Sequence, residues 1–273
     1  MVKQPARLQI ASGRVVTYTE LMSKVKIISD YSPTLLEIEN IHTLKQAIEP
    51  TDLLVYGEIH GIKENAAVIN TICRELNIRR VAIEASPTVK EFIQAASEEN
   101  YDFSMVDEDI FDSSILSLEV AKTLATLLRT GNIEEIVYID TYFDSVQESE
   151  LGHQDSPQKR EQALADNILS LDRTKRTLCL MGQWHTQPKP VTLIQEPDNS
   201  KFVHYSALHR IRQIEPDTPF VHCMYGKGQA YNDGRVLDLP VQPSISDNYT
   251  IVKISNIDYA LHVPEAHRIV LEK

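Results

Sequence analysis

Cysteine is scarce in this chain of 273 residues. Cys73, Cys179 and Cys223 are far apart, odd in number and outside any CxxC spacing, which argues against a disulfide framework. No run approaches the roughly 20 apolar residues of a membrane span. The opening "MVKQPARLQIASGR" lacks the continuous apolar stretch of a secretory signal. The expectation is a soluble, cytoplasmic protein without a membrane partner. Basic clusters are missing as well. With a formal charge of −12 the chain repels phosphate backbones and anionic lipid, so no nucleic-acid partner is expected. "NIRR" and "LDRTKR" are short, isolated and placed where cations complement helix C-termini. The chain has no GxSxG elbow, no GxxxxGK[ST] loop, no HExxH helix and no solenoid period.

What is present reads as an ordinary globular chain, 42% apolar and 24% charged, long enough to bury a sizeable core. Strand-like and helix-like periods alternate along it. "TDLLVYGE" is a short apolar strand, and residues 63–76 follow as a helix with Ala66, Ile69, Ile72, Cys73 and Leu76 on one face. "RRVAIEAS" is the next strand, and Pro87 opens the helix "PTVKEFIQAASEE". A helix around "LSLEVAKTLATLLRTG" closes at Gly131. "IEEIVYID", the helix "QKREQALADNILSLD" and the strand "RTLCLMGQWH" complete the series. Repeated β–α–β order predicts an α/β fold with a largely parallel central sheet flanked by helices.

Additional β-rich segments are expected at both ends. The sequence reads as one domain over 1–273: an N-terminal β extension at 1–50, a core at 51–188 and further strands and loops at 189–273. A C-terminal subdomain beginning near 190 is the alternative. "GRVVTYTEL" and "KVKIIS" are expected to pair with each other. "TYFDSVQESELGHQDSP" reads as a loop or lid, and "PFVHCMYG", "NYTIVKIS" and "HRIVLEK" as late strands.

Four apolar runs each end in a polar side chain: Glu58 with His60, then Glu84, Asp140 and His185. Ligands of open parallel sheets bind beyond the carboxyl ends of the strands, so these groups are expected to converge. Each has a plain structural account. Glu84 can flank a helix start, Asp140 can shape a turn, and His185 can be a packed loop histidine. Glu58 with His60 resists such an account, because a charged pair burdens a buried strand end. Gly57 reads as the turn that stops its strand. His204, His209 and His222 are read as structural, as are the three cysteines.

The same stretches carry a resemblance. "YGEIHGIKEN" resembles the Gly-Glu-x-His motif of the superfamily that includes erythromycin esterases, haem-binding ChaN-like proteins, TraB/TIKI-type metalloproteases and the C-terminal region of a Pasteurella toxin. "VAIEAS" is similar to its second strand, "QKREQALADNI" to its charged helix start, and "LMGQWHTQ" to its Gly-x-x-His motif. The match spans residues 53 to about 188, and the single residue between Glu58 and His60 is closer to the ChaN-like form than to the esterase form. The resemblance implies a cleft in which Glu58, His60, Glu84, Arg160 and His185 face one another.

Such a set suits hydrolysis of an ester or amide in a small-molecule or peptide-like substrate. His60 would be the general base, oriented by Glu58 or Glu84, with His185 as acid or electrophile and Arg160 holding a substrate carboxylate or a developing oxyanion. Glu58, His60, Glu84, Asp140 and His185 also match the ligand preferences of a divalent metal, zinc, manganese or iron. Two other readings use the same cleft. One is a haem- or metal-binding protein without chemistry, with a histidine or a tyrosine as axial ligand, Tyr56 and Tyr142 lying beside the strand ends. The other is a catalytically inactive interaction domain.

Overall fold

A computed structural model describes residues 33–85, 89–98, 116–141, 156–195, 200–232 and 235–269, together with short strands at 7–9, 15–17, 26–27 and 101–102. The strands are β1 (Arg7–Gln9), β2 (Val15–Thr17), β3 (Lys26–Ile27), β4 (Leu53–Glu58), β5 (Arg80–Ile83), β6 (Tyr101–Asp102), β7 (Glu135–Tyr138), β8 (Thr177–Gly182), β9 (Val191–Gln195), β10 (Ser200–His204), β11 (Phe220–Tyr225), β12 (Gly228–Asn232), β13 (Arg235–Leu239), β14 (Thr250–Lys253) and β15 (Asp258–Val263). The helices are α1 (His42–Ile48), α2 (Glu64–Glu75), α3 (Lys90–Glu98), α4 (Leu118–Arg129), α5 (Ser156–Leu169) and α6 (Ala207–Ile214). Among the described residues, no helix is long and apolar enough to cross a membrane.

Seven strands form the central sheet in the order β14-β15-β11-β4-β8-β5-β7. All neighbours are parallel except β14, which runs antiparallel to β15 at one edge. The α/β fold expected from the alternating periods is the one observed; of the late strands β11, β14 and β15 belong to this same sheet, while β9 with β10 and β12 with β13 form separate antiparallel pairs. The order traces the path of the chain. From β4 the chain winds through α2 to β5 and through α4 to β7, moving toward one edge. It then reverses, returning through α5 to β8 and through α6 to β11. Right-handed crossovers made in opposite directions lay their helices on opposite faces, and the core divides accordingly. Leu54, Tyr56, Val81, Ile83 and Leu180 pack with Ile69, Ile72 and Leu124 of α2 and α4. Leu53, Val55, Ala82, Cys179 and Met181 pack with Leu164, Ile168, Leu208 and Ile211 of α5 and α6. Both faces of the central strands are covered, so all six residues of β4 and all six of β8 are buried. That is why these strands read as unbroken apolar runs. Burying each large aliphatic side chain contributes about 1.5–3 kcal/mol.

Several local expectations are corrected. Gly57 is not a turn: β4 continues through Glu58, which stands opposite Gly182 of β8. The bend comes at Gly61, with φ +70° and Tyr231 backbone atoms where a Cβ would sit. Gly57 is required for a different reason. A Cβ there would lie 2.3 Å from Thr186 Oγ1 and 3.0 Å from Phe220 Cε2, and Thr186 is itself buried. Gly57→Ala is expected to cost about 1–3 kcal/mol by overpacking, read as a lower urea midpoint. A midpoint unchanged from wild type would show that the segment beyond β8 yields freely.

The strand "RTLCLMGQWH" ends at Gly182, and residues 183–186 form a single 3₁₀ turn carrying His185. Among the described residues, "GRVVTYTEL" and "KVKIIS" do not pair with each other. β2 pairs with β1, and β3 pairs with β6, both antiparallel. Alternation identifies a strand and its faces, not its partner. Pro87, and residues 142–155 of the expected loop, lie outside the described residues. So do residues 270–273 of "HRIVLEK", in which Arg268 makes an isolated bridge to Ile62.

Candidate functional site

Insertion of β8 between β4 and β5 decides the site. It sets the carboxyl ends of β4, β8, β5 and β7 in a row, bringing together side chains from residues 58 to 185. At the centre stands Glu84, 3% exposed. Its Oε1 accepts Arg160 Nη2 at 2.7 Å and lies 3.0 Å from His185 Nε2, while its Oε2 accepts the Gly182 backbone N–H at 2.7 Å. Burial pushes this carboxyl up, but the charges of His185, His60 and Arg160 outweigh it and hold Glu84 far below the usual carboxylate range.

On one side of Glu84, α5 delivers Arg160 and Glu161. Arg160 donates through Nε (3.2 Å) and Nη2 (2.7 Å) to Asp140 Oδ2, and Asp140 is buried. His185 Nδ1 lies 2.7 Å from Glu161 Oε1. Glu161 Oε2 in turn accepts the Ala207 N–H at the start of α6 at 2.7 Å. Burial lowers the basicity of His185, but the carboxylates Glu84 and Glu161 reverse this and raise its pKa to about 9. It is therefore an imidazolium near neutrality, donating from both nitrogens. The Arg160 Nη1 atom 3.1 Å from Nε2 is then a like-charged neighbour, offset by three carboxylates. The closing end is His204, stacked on Trp184 with ring centroids 4.4 Å apart and its Nε2 3.6 Å from Glu161 Oε1.

On the other side lies the pair first read from the sequence. His60 Nδ1 is 2.7 Å from Glu58 Oε1. Glu58 Oε2 accepts from Asn65 Nδ2, whose Oδ1 accepts the Tyr225 hydroxyl at 2.9 Å. Burial lowers the imidazole's pKa, and the hydrogen bond and charge of Glu58 overcome it, leaving His60 above its ordinary value. Glu58, His60 and Glu84, with Ile69, Ile83, Ala85, Leu116, Val120 and Leu180, line a pocket of about 20 Å³. Gly182 admits the ring: a Cβ there would fall 2.6 Å from His60 Nε2 and 3.5 Å from Glu84 Oε2. Those two atoms are therefore at most about 6 Å apart, the two radii laid end to end.

All six residues Glu58, His60, Glu84, Asp140, Arg160 and His185 thus come together at the strand ends, as two bonded groups, Glu58 with His60 and Glu84 with Arg160, Asp140 and His185, that meet where Glu58, His60 and Glu84 line one pocket. Tyr56 does not join them. It is fully buried and donates its hydroxyl to Cys223 Sγ at 3.2 Å, because its position in β4 turns it into the α2/α4 face of the core. An axial role for it would require unpacking that core. Tyr142 lies outside the described residues. The three cysteines are buried, and burial pushes the Cys179 and Cys223 thiols up to about 12, so none is poised as a thiolate.

Glu161, Asn65 and Tyr225 were not singled out in the sequence. Glu161 had a signal, its place beside Arg160 in the charged start of α5. Asn65 and Tyr225 had none, since an amide and a phenol become informative only when buried against a carboxylate.

The metal reading does not fit these side chains. Among the described residues no group of three or more His, Cys, Asp or Glu side chains is arranged to hold an ion. The physical reason is Arg160: Glu84 and Asp140 are engaged by a guanidinium, and both nitrogens of His185 face carboxylates. A dication would have to displace these cations.

The charged network has a stability consequence. His185 is raised from 6.5 to about 9, so its contribution is fully present below pH 6.5 and is lost as pH rises through 9. The loss is on the order of 3 kcal/mol. Urea unfolding at pH 6 and pH 9.5 is expected to show it, and equal stability at both would exclude a charged His185.

No protein-family model matches the chain, and no curated protein matches its sequence. Among solved structures, a Bacillus cereus protein aligns over 93% of this chain and 98% of its own at 10% identity, with a TM-score of 0.56. The fold is shared. A succinoglycan biosynthesis protein aligns over 92% of this chain and 96% of its own, at 11% identity and a TM-score of 0.47. ChaN of Campylobacter jejuni, solved with cofacially bound haem, aligns over 96% and 97% at 13% identity and a TM-score of 0.39.

Proposed function

We propose that this protein hydrolyses an ester or amide bond in a small-molecule or peptide-like substrate, with His60 as general base. The observation that carries the reading is the pairing of His60 Nδ1 with Glu58, which leaves Nε2 as the uncommitted nitrogen of a ring that lines, with Glu84, a pocket of about 20 Å³. That volume suits one water molecule, and Glu84 and His60 are polar partners for it. The water gives a proton to Nε2 as its oxygen attacks the carbonyl carbon. The imidazolium formed is stabilised by Glu58 and Glu84 and then returns the proton to the departing alcohol or amine. Arg160 and His185 take supporting roles. Their donors are engaged by Glu84, Asp140 and Glu161, which favours their keeping Glu84 ionised over their acting as oxyanion donor or general acid.

The test is a panel of alkyl esters, aryl esters and peptide amides, assayed across pH. The acid limb of kcat/KM is expected above pH 6.5, since only neutral His60 accepts a proton and its pKa is raised. No turnover in any class would defeat the reading. A haemin titration separates the binding alternative, for which His60 Nε2 is the group the geometry leaves. A Soret shift that is lost in His60→Ala, without turnover, would favour binding over hydrolysis.

A further inference from the structure

We infer that Asn65 and Tyr225 are positioning residues for His60, acting through Glu58 to hold one imidazole tautomer. The inference rests on His60 being the base, and it concerns how that base is kept in its working form.

Three elements converge on the amide of Asn65. Tyr225 comes from the end of β11, which pairs with β4, Glu58 ends β4, and Asn65 lies in the first turn of α2. Asn65 Nδ2 donates to Glu58 Oε2 and, at 2.9 Å, to the Ile59 carbonyl. Its Oδ1 accepts the Tyr225 hydroxyl at 2.9 Å. The amide can face only one way, because reversing it would set Oδ1 against two acceptors, a carboxylate and a carbonyl. Asn65 is 2% exposed and Tyr225 3%, so neither can exchange these partners for solvent. With Oε2 tied down, Glu58 presents Oε1 to His60 Nδ1 at 2.7 Å. A carboxylate is acceptor-only, so the neutral imidazole must carry its proton on Nδ1 and its lone pair on Nε2. Without Asn65 the carboxylate can rotate. The bond that selects this tautomer then weakens, and the ring is free to place its proton on the nitrogen that must be empty for base catalysis.

The imidazole nitrogen shifts of His60 in the ¹⁵N-labelled full chain, read at a pH where the ring is neutral, report the tautomer without any substrate. Wild type is expected to show the Nδ1–H form. Asn65→Leu should lower the ratio of Nδ1–H to Nε2–H by about tenfold, the equivalent of one hydrogen bond. Tyr225→Phe, which removes one oxygen and keeps the packing, should move it in the same direction by less. Tyr259→Phe is the control, since Tyr259 is as buried as Tyr225 but donates to the Asn256 carbonyl. An unchanged tautomer in Tyr225→Phe and in folded Asn65→Leu, or an equal change in Tyr259→Phe, would overturn the inference. Once a substrate is in hand, Asn65→Leu should lower kcat with KM held. A tautomer shift without any hydrolysis would uphold the positioning chain and sink the hydrolase reading alone.

Discussion

His60→Ala is expected to lower kcat/KM by about 10²–10⁴-fold, the range that a positioned general base supplies, with KM little changed. The expectation follows from His60 being the site imidazole whose second nitrogen is not held by a carboxylate: Nδ1 is spent on Glu58, and the ring lines the pocket. His185 makes a telling contrast. Both its nitrogens meet carboxylates, and taking up or releasing a proton there means breaking a buried ion pair. Because the His60 side chain is 13% exposed and Asn65 still satisfies Glu58 in its absence, the variant should fold. The space left by the ring should also admit free imidazole, so added imidazole is expected to restore part of the rate. Wild-type turnover in folded His60→Ala would remove His60 from the mechanism, whatever the substrate.

Arg160→Leu is expected to destabilise the protein by about 3–5 kcal/mol, since it strips the cation from two buried carboxylates. Glu84 and Asp140 are 3% and 5% exposed, and Arg160 bridges them from one guanidinium. Glu84 would keep His185 and the Gly182 N–H, but Asp140 would lose the guanidinium that faces it. The melting temperature should fall by roughly 10 °C, and neutralising the orphaned partners should recover part of the loss. Arg160→Leu combined with Asp140→Asn is therefore predicted to be more stable than Arg160→Leu alone. A loss below about 1 kcal/mol would mean that solvent reaches these carboxylates and that the network is a surface feature.

Much of the fold was legible because parallel strands covered on both faces need uninterrupted apolar residues, and "LLVYGE" and "TLCLMG" have them. The helix at 64–75 was legible from the spacing of Ala66, Ile69, Ile72 and Cys73, all of which are buried. Partners were not legible. "KVKIIS" shows alternation, but nothing local to it names the strand at 101–102 that it joins. Gly57 shows how a correct emphasis can carry the wrong reason: it is needed for the approach of Thr186, more than a hundred residues away, and not for a turn.

The candidate site divides in the same way. Short-range chemistry was written in the chain: a carboxylate one residue removed from a histidine at a strand exit, and acidic or imidazole groups at three further exits. Local composition and hydrophobic period determine which residues are buried and which emerge where an apolar run stops. What only the tertiary structure decided is that β8 enters between β4 and β5. That placement makes Glu84 the hub and commits Arg160 and His185 to it, while the pairing of β11 with the other edge of β4 brings Tyr225 to Asn65 behind Glu58. Strand order arises from crossovers that reverse direction and change face, a long-range packing choice that no window of sequence encodes.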